Sequence, residues 1–277
     1  MKFKPWEELT IADDFMFCKI MSNEEICTQM LEFMLGVKIS RLVYHEPQKS
    51  IDLLYESRGI RMDVYVADSD RVFDVEMQTS IKPELPKRTR YYQSLIDIDT
   101  LKKGDLYTSL KESFIIFICA EDPFKLNRSH YTFHSWCDED KDFALDDKTT
   151  KVFYNVNEYE KEANPEVRAL LELLKRNKPT NDFTDKIQHL VDEAKNQNEK
   201  WRADYMTLDM IRKEEHYLGI EEGKKFGMEQ GQKLGARDNA LENARNAVML
   251  GLSVKQIAAI TGLSEDEINS IAEGLKK

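Results

Sequence analysis

The sequence predicts an α/β fold: a mixed sheet flanked by helices, followed by an all-helical C-terminal extension. Three observations carry this expectation. FIIFIC, Phe114 to Cys119, is a continuous apolar run with the length and composition of a central strand buried on both faces. Ahead of it, helical and strand-like segments follow one another as they do where helices cover a sheet. After Pro165 only helical patterning remains.

The elements follow in order. Thr10 precedes IADDFMFCKIMSNEEICTQMLEFML, where apolar residues recur at Phe17, Ile20, Met21, Met30, Leu31 and Met34. The polar break at Ser22-Asn23 divides this into helices over 11–21 and 23–35, with Gly36 as the stop. Strands are expected near 41–44, 51–55, 60–66 and 71–78. Pro83 and Pro86 break the chain, and a helix over 86–103 follows, with Pro86 in its first turn and Gly104 past its end. Further strands are expected at 130–136 and 151–156. This gives an α/β core over residues 1–160, a helical extension over 161–215, a glycine-repeat arm over 216–244 and a small helical module over 245–277.

The arm reads LGIEEGKKFGMEQGQKLG, with glycine at 219, 223, 227, 231 and 235. On a helix these form one drifting stripe, and each costs about 1 kcal/mol relative to alanine. Close packing against another helix would offset that cost, so homo-oligomerisation through the arm is one reading; a weakly stable low-complexity helix is the other. The intervening Glu and Lys residues rule out a membrane span. In the last module Ser253-x-x-Gln256 and Ser264-x-x-Glu267 are capping boxes, each preceded by a glycine stop. Val248, Leu252, Val254, Ile257, Ala258, Ile260, Leu263, Ile268 and Ile271 are expected to form its core, with helix-turn-helix-like spacing. Its last helix opens Glu265-Asp266-Glu267, which disfavours major-groove reading and favours docking or assembly.

Composition narrows the function. The 277 residues are 41% hydrophobic and 33% charged, with a net charge of −11. That balance argues against broad nonspecific nucleic-acid binding but leaves room for a local basic stretch. Residues 82–103 hold Lys82, Lys87, Arg88, Arg90, Lys102 and Lys103 against Glu84, Asp97 and Asp99. The cysteines at 18, 27, 119 and 137 form no C-x-x-C pair, which suits a reducing compartment. The start MKFKPWEELT has no signal-peptide stretch, and the longest apolar run, Phe114 to Ala120, is too short for a membrane span. A cytoplasmic protein is expected. No G-x-S-x-G, phosphate-binding loop or nucleophilic cysteine context occurs. His130, His134 and Cys137 offer three zinc ligands where about four are needed, and strand alternation accounts for them as well.

Residues 63 to 78, DVYVADSDRVFDVEMQ, carry the chemistry. Two strands flank the turn residues Asp68-Ser69-Asp70. Alternation puts Val64 and Val66 on one face of the first strand, Asp63 and Tyr65 on the other. On the second strand Phe73, Val75 and Met77 share one face and Asp74, Glu76 and Gln78 share the opposite one. A hairpin at the sheet margin could turn this polar face to water. Under a helix the same carboxylates would repel one another and need a divalent cation, and Mg²⁺ prefers such oxygens.

RMDVYV followed by FDVEMQ resembles the active-site hairpin of the PD-(D/E)XK nuclease superfamily, and within it the recombination-promoting, transposase-like branch. The resemblance extends to DDFMFCKIM with Asp14, to Gly59–Asp63, to Glu76-Met77-Gln78, to the RTRYYQS helix from Arg88 to Ser94, and to the glycine arm and LGLSVKQIAAITGLSEDEI ending. It implies a restriction-endonuclease-like core and metal-dependent hydrolysis of DNA phosphodiester bonds with Mg²⁺, or Mn²⁺ in its place. Asp63, Glu76 and the Met77 backbone carbonyl would be metal ligands, and Asp14 an additional acidic position. Gln78 stands where the superfamily usually has lysine. Lys82, Arg88 or Arg90 from the adjacent helix is expected to supply the missing charge. Lys82, Lys87, Arg88, Arg90 and Tyr92 are the expected DNA contacts, and recombination, mobile-element biology or phage defence in a bacterium the expected setting. The competing function is a catalytically inactive nuclease-fold protein that acts as an oligomeric binding or assembly module.

Overall fold

The computed structural model describes residues 4–39, 41–47, 50–51, 60–80 and 83–275. The expected strand positions 52–55, and Lys82, lie outside the described residues.

A short turn of 3-10 helix at Trp6–Glu8 leads into α1 (Asp14–Ile20) and α2 (Glu24–Leu35). The Asn23 side chain accepts the Ile26 amide at 3.1 Å and so caps α2. Gly36, at φ +67°, ends it in the left-handed conformation that glycine adopts most readily. Then come β1 (Tyr44–Pro47), β2 (Ser50–Ile51), β3 (Ile60–Arg61), β4 (Val64–Ala67) and β5 (Arg71–Gln78). They are followed by α3 (Leu85–Thr100), β6 (Glu112–Cys119), β7 (His130–Phe133) and β8 (Thr149–Asn155), and the chain continues as α4 (Pro165–Arg176), α5 (Asp182–Gln197), α6 (Glu199–Met249), α7 (Val254–Thr261) and α8 (Glu265–Gly274).

Six strands form one mixed sheet in the order β1-β4-β5-β6-β8-β7, and β2 pairs with β3 separately. Strands β1, β4 and β5 are antiparallel; β5, β6 and β8 run parallel; β7 closes the edge antiparallel to β8. FIIFIC is thus the middle of the parallel segment, buried on both faces. Helix α3 makes the crossover from β5 to β6 and covers one face. Leu85, Tyr92, Leu95 and Ile96 of α3 pack there with Tyr65, Ile115, Phe117 and Phe153. On the opposite face the Tyr154 hydroxyl donates to the carbonyl of Met34 at the end of α2.

Several boundaries differ from the sequence expectation, each for a local reason. The strand expected over 41–44 spans 44–47, although the Val43 amide already donates to Ala67 at 2.8 Å. The helix expected to reach 103 stops at Thr100, because the Asp105 carboxylate takes the Lys102 amide at 2.9 Å and turns the chain before Gly104. The strand expected over 130–136 breaks after Phe133, and Trp136 pairs only as an isolated bridge to Ala144.

The chain divides into two compact units, Met1–Met206 and Thr207–Lys277. In the first, the opening segment is fastened to α5 by the Trp6 indole, which donates to the Lys195 carbonyl at 3.2 Å. In the second, both capping boxes form: the Ser253 amide donates to Gln256 Oε1 at 3.0 Å and the Ser264 amide to Glu267 Oε2 at 2.9 Å. The core here consists of Ala244, Ala247, Ile257, Leu263 and Ile268. Ile260 and Leu252, expected inside, are exposed; the end of α6 supplies small alanines instead. Among the described residues no helix is long and apolar enough to cross a membrane.

Phe73 is fully buried on the face opposite the carboxylates and stacks on Phe114 at 5.3 Å. Phe73→Ala is expected to lower unfolding stability by about 3–5 kcal/mol, measured by urea titration. A loss below about 1 kcal/mol would mean that this face is not tightly packed.

Candidate active site

Strand β5 is the floor of the site. Its register against β4 is Val64 with Val75 and Tyr65 with Asp74, so Asp63 stands next to Glu76, just beyond the last ladder pair. On the other side β5 pairs with β6, placing Ile115, Phe117 and Cys119 beside Asp74, Glu76 and Gln78. The acidic face therefore lies in the middle of the sheet and beneath α3. Asp74, Glu76 and Gln78 are all buried, and Asp63 is half-buried. A polar hairpin face turned to water at the sheet margin is excluded by this placement.

The Asp63 and Glu76 carboxylates each hold a backbone amide of the opposite strand segment. The Asp63 amide donates to Glu76 Oε1 at 3.0 Å, and the Met77 amide donates to Asp63 Oδ2 at 2.9 Å. These bonds continue the strand pairing where the β4 ladder ends. Met77 presents its carbonyl to the Gln78 side-chain amide at 3.2 Å. Asp74 is different: it is completely buried, and neither of its carboxylate oxygens has a hydrogen-bond partner.

One cation enters from α3. Arg88 donates from Nη1 to Gln78 Oε1 at 2.8 Å and from Nη2 to the Tyr92 hydroxyl at 2.7 Å. Its Nη2 also stands 3.5 Å from Glu76 Oε2. Burial acts against its charge, but Tyr92, Glu76 and Asp63 outweigh that and hold the guanidinium protonated. Three carboxylates thus face one arginine. Burial pushes Asp74 well above the ordinary carboxylate range, and the charge of Asp63 adds to this. Burial, then Asp74, then Asp63 push Glu76 the same way. Burial and Glu76 likewise raise the Tyr92 phenol.

Other expected residues are distributed as follows. Asp14 opens α1, half-buried, with Oδ1 accepting the Phe15 amide at 2.8 Å. Lys87 and Arg90 lie on the exposed side of α3. Arg90 therefore points away from the acids, and Arg88 is the basic residue that reaches Gln78. Tyr92, expected at the DNA, is only 5% exposed and packs over Phe117, whereas Tyr91 is 37% exposed. Helix period decides between them: Tyr92 sits one turn from Arg88 on the sheet-facing side. His130 is paired with the buried Glu162 carboxylate at 2.7 Å. Asp74 is a further acidic residue of this face, one that no motif marks. Alternation had placed it beside Glu76, but only the structure shows that it is buried without a partner.

Among the described residues no group of three or more His, Cys, Asp or Glu side chains is arranged to hold a metal ion as it stands. The chemistry of the donor set nevertheless suits one. All donors are hard oxygens, the arrangement carries excess negative charge, and the orphaned Asp74 carboxylate lacks the partner that a buried charge requires. In donor type, Asp63, Glu76 and the Met77 carbonyl, with Asp74 beside them, would suit a hard divalent cation.

No curated protein and no solved structure matches the chain. A family model, described as PD-(D/E)XK nuclease family transposase, matches residues 12–220. That span includes α1, the whole sheet, the acidic hairpin and α3, and it ends within α6. By this match over most of its length, the chain belongs to the PD-(D/E)XK nuclease family transposases.

Proposed function

We propose that the protein is a divalent-cation-dependent DNA endonuclease that hydrolyses phosphodiester bonds, acting in the bacterial cytoplasm in recombination, mobile-element traffic or phage defence. The observation that carries this reading is the buried acidic face of β5, with Asp74 left unpartnered. A scaffold without chemistry gains nothing from a buried, unpaired carboxylate, which only destabilises it. This favours the enzyme over the inactive assembly module.

Asp63, Glu76 and the Met77 carbonyl would hold Mg²⁺ or Mn²⁺, with Asp74 completing the charge balance and Asp14 as a further acidic residue. When bound, the ion supplies an activated water and offsets charge on the scissile phosphate. The protein's own groups do the rest. Gln78 adds no charge but fixes Arg88 in place, and Arg88 can stabilise negative charge as it develops on phosphate oxygens. Arginine suits this task because its fork donates to several oxygens at once and stays charged. Lys82, Lys87 and Arg90 would contact the DNA backbone, and Tyr91 takes the place assigned to Tyr92 as the exposed ring. The arm of α6 would join copies of the chain.

Supercoiled plasmid, incubated with Mg²⁺, Mn²⁺ or EDTA, tests the reading. Metal-dependent nicking is expected, and Asp63→Asn or Glu76→Gln should abolish it while keeping an oxygen to accept the backbone bonds. Absence of cleavage by the unmodified protein under either metal would sink the proposal. Arg88→Ala is expected to slow cleavage by about 10²–10³-fold, and Arg90→Ala to weaken DNA binding while leaving the rate at saturating DNA little changed. Equal rates for Arg88→Ala and the parent would remove Arg88 from the chemistry.

Stability should depend on pH in a definite direction. Asp74 and Glu76 bind protons more tightly in the folded chain than in the unfolded one. From the ordinary carboxylate range up to their raised values, the folded state therefore carries more protons, and stability falls as pH rises. The metal-free protein should melt at a higher temperature at about pH 5 than at about pH 7. Asp74→Asn should flatten that slope, raise the melting temperature at about pH 7 and shrink the gain on adding Mn²⁺. A slope and a Mn²⁺ response unchanged by Asp74→Asn would exclude Asp74 from the site.

A further inference from the structure

Helix α6 runs unbroken from Glu199 to Met249 through Gly219, Gly223, Gly227, Gly231 and Gly235. A Cβ placed on any of these five would meet nothing within 4 Å, so the stripe faces open space. Large apolar side chains share this stretch. Ile220 is 43% exposed, Phe226 64%, Met228 67% and Leu234 63%. Among the described residues, nothing covers this surface of α6.

The order of residues identifies that partner. About Gly227 the sequence GIEEGKKF-G-MEQGQKLG is a chemical mirror image. Positions equally far from Gly227 match: Gly223 with Gly231, Gly219 with Gly235, Phe226 with Met228 and Ile220 with Leu234. Charges match by opposition: Lys225 mirrors Glu229, Glu221 mirrors Lys233, Arg212 mirrors Glu242 and Asp209 mirrors Arg245. Every other ionised residue between 209 and 245 mirrors an uncharged one or a histidine, so no like charges coincide.

Two copies of a helix can align in two directions. In a parallel pair each residue stands beside its own copy, which sets Lys213, Lys224 and Asp238, all within about 60° of the Gly227 direction, against themselves. An antiparallel pair on a twofold axis sets mirror positions together and removes every such repulsion. Arg212 and Glu242, each about 60° from the Gly227 direction, then flank the contact with opposite charge, whereas Lys225 and Glu229 point away from it. Helix geometry supports the same alignment. Seven residues return a side chain to within about 20° of its starting direction, so Ile220 and Leu234 lie on the Gly227 face. Glycine at every fourth position leaves a shallow groove along this face in which a second backbone can approach closely.

We infer that α6 pairs antiparallel with α6 of a second copy of this chain, on a twofold axis through Gly227. This rests on the reading of the arm as the assembly element and adds its direction and register. Gly223, Gly227 and Gly231 allow the backbones to approach, and Ile220 of each copy packs on Leu234 of the other.

Disulfide trapping in the full-length protein tests this. Three native cysteines are buried, so Cys137→Ser leaves a quiet background. Ile220→Cys and Leu234→Cys are made separately in that background, on chains of distinguishable size, then mixed and oxidised. The expected product is a cross-link joining one chain of each kind. Neither variant should cross-link to itself, because antiparallel copies place identical residues about 21 Å apart. Self-cross-linking of either variant would overturn the antiparallel register while leaving self-association intact. A dimer by light scattering with no cross-link in any mixture would overturn the axis at Gly227. A mass of 32.4 kDa, that of a single chain, would overturn the pairing altogether. Plasmid cleavage depends on the acidic hairpin and is judged separately, so each of these outcomes leaves the nuclease reading standing or falling on its own test.

Discussion

Three carboxylates on a dry sheet face govern this molecule. Asp63, Asp74 and Glu76 stand under α3, from which Arg88 opposes their charge. Much of the surrounding architecture makes that placement tolerable. The parallel pairing of β5 with β6 supplies an apolar floor through Ile115 and Phe117. The crossover helix brings Arg88 and Tyr92 down from above. Carboxyl groups in such surroundings must keep protons, recruit a cation, or do each in turn.

Gln78 gains meaning from the same network. An amide at this position neither attracts the phosphate nor repels a metal ion. Its oxygen instead accepts from Arg88, and its nitrogen donates to the Met77 carbonyl. The positive charge is thereby shifted from the strand to the helix, on a side chain that cannot deprotonate near neutrality. In place of a charge carried by the strand itself, an amide on the strand holds a permanent cation that comes from the helix.

Much of this was legible in the sequence. The span of β5 and the burial of β6 follow from alternation and a continuous apolar run, and the ends of α2 from Asn23 and Gly36. The capping serines of the last module marked its two helices. Other features could not be read because they depend on tertiary placement. Alternation grouped Asp74 with Glu76 but could not tell a solvated face from a buried one. The choice between Tyr91 and Tyr92 turned on the rotation of α3 over the sheet. The early end of α3 came from Asp105, a side chain beyond the helix. Ile260 looked like core by type, yet the module closes around the alanines of α6.

The crossed bonds of the hairpin have one more consequence. Beyond Val64 the pairing of β4 and β5 passes from backbone to side chain: the amides of Asp63 and Met77 rest on the carboxylates of Glu76 and Asp63. Those carboxylates are the groups that a ligand would claim. Were an ion to bind these side chains, strand registration and occupancy would draw on the same two carboxylates, and the two equilibria would be thermodynamically linked. Two backbone hydrogens, one on each side of the hairpin, become native reporters. Their rates of exchange with solvent record how firmly the acids are held, whether by the strand, by a proton or by an ion.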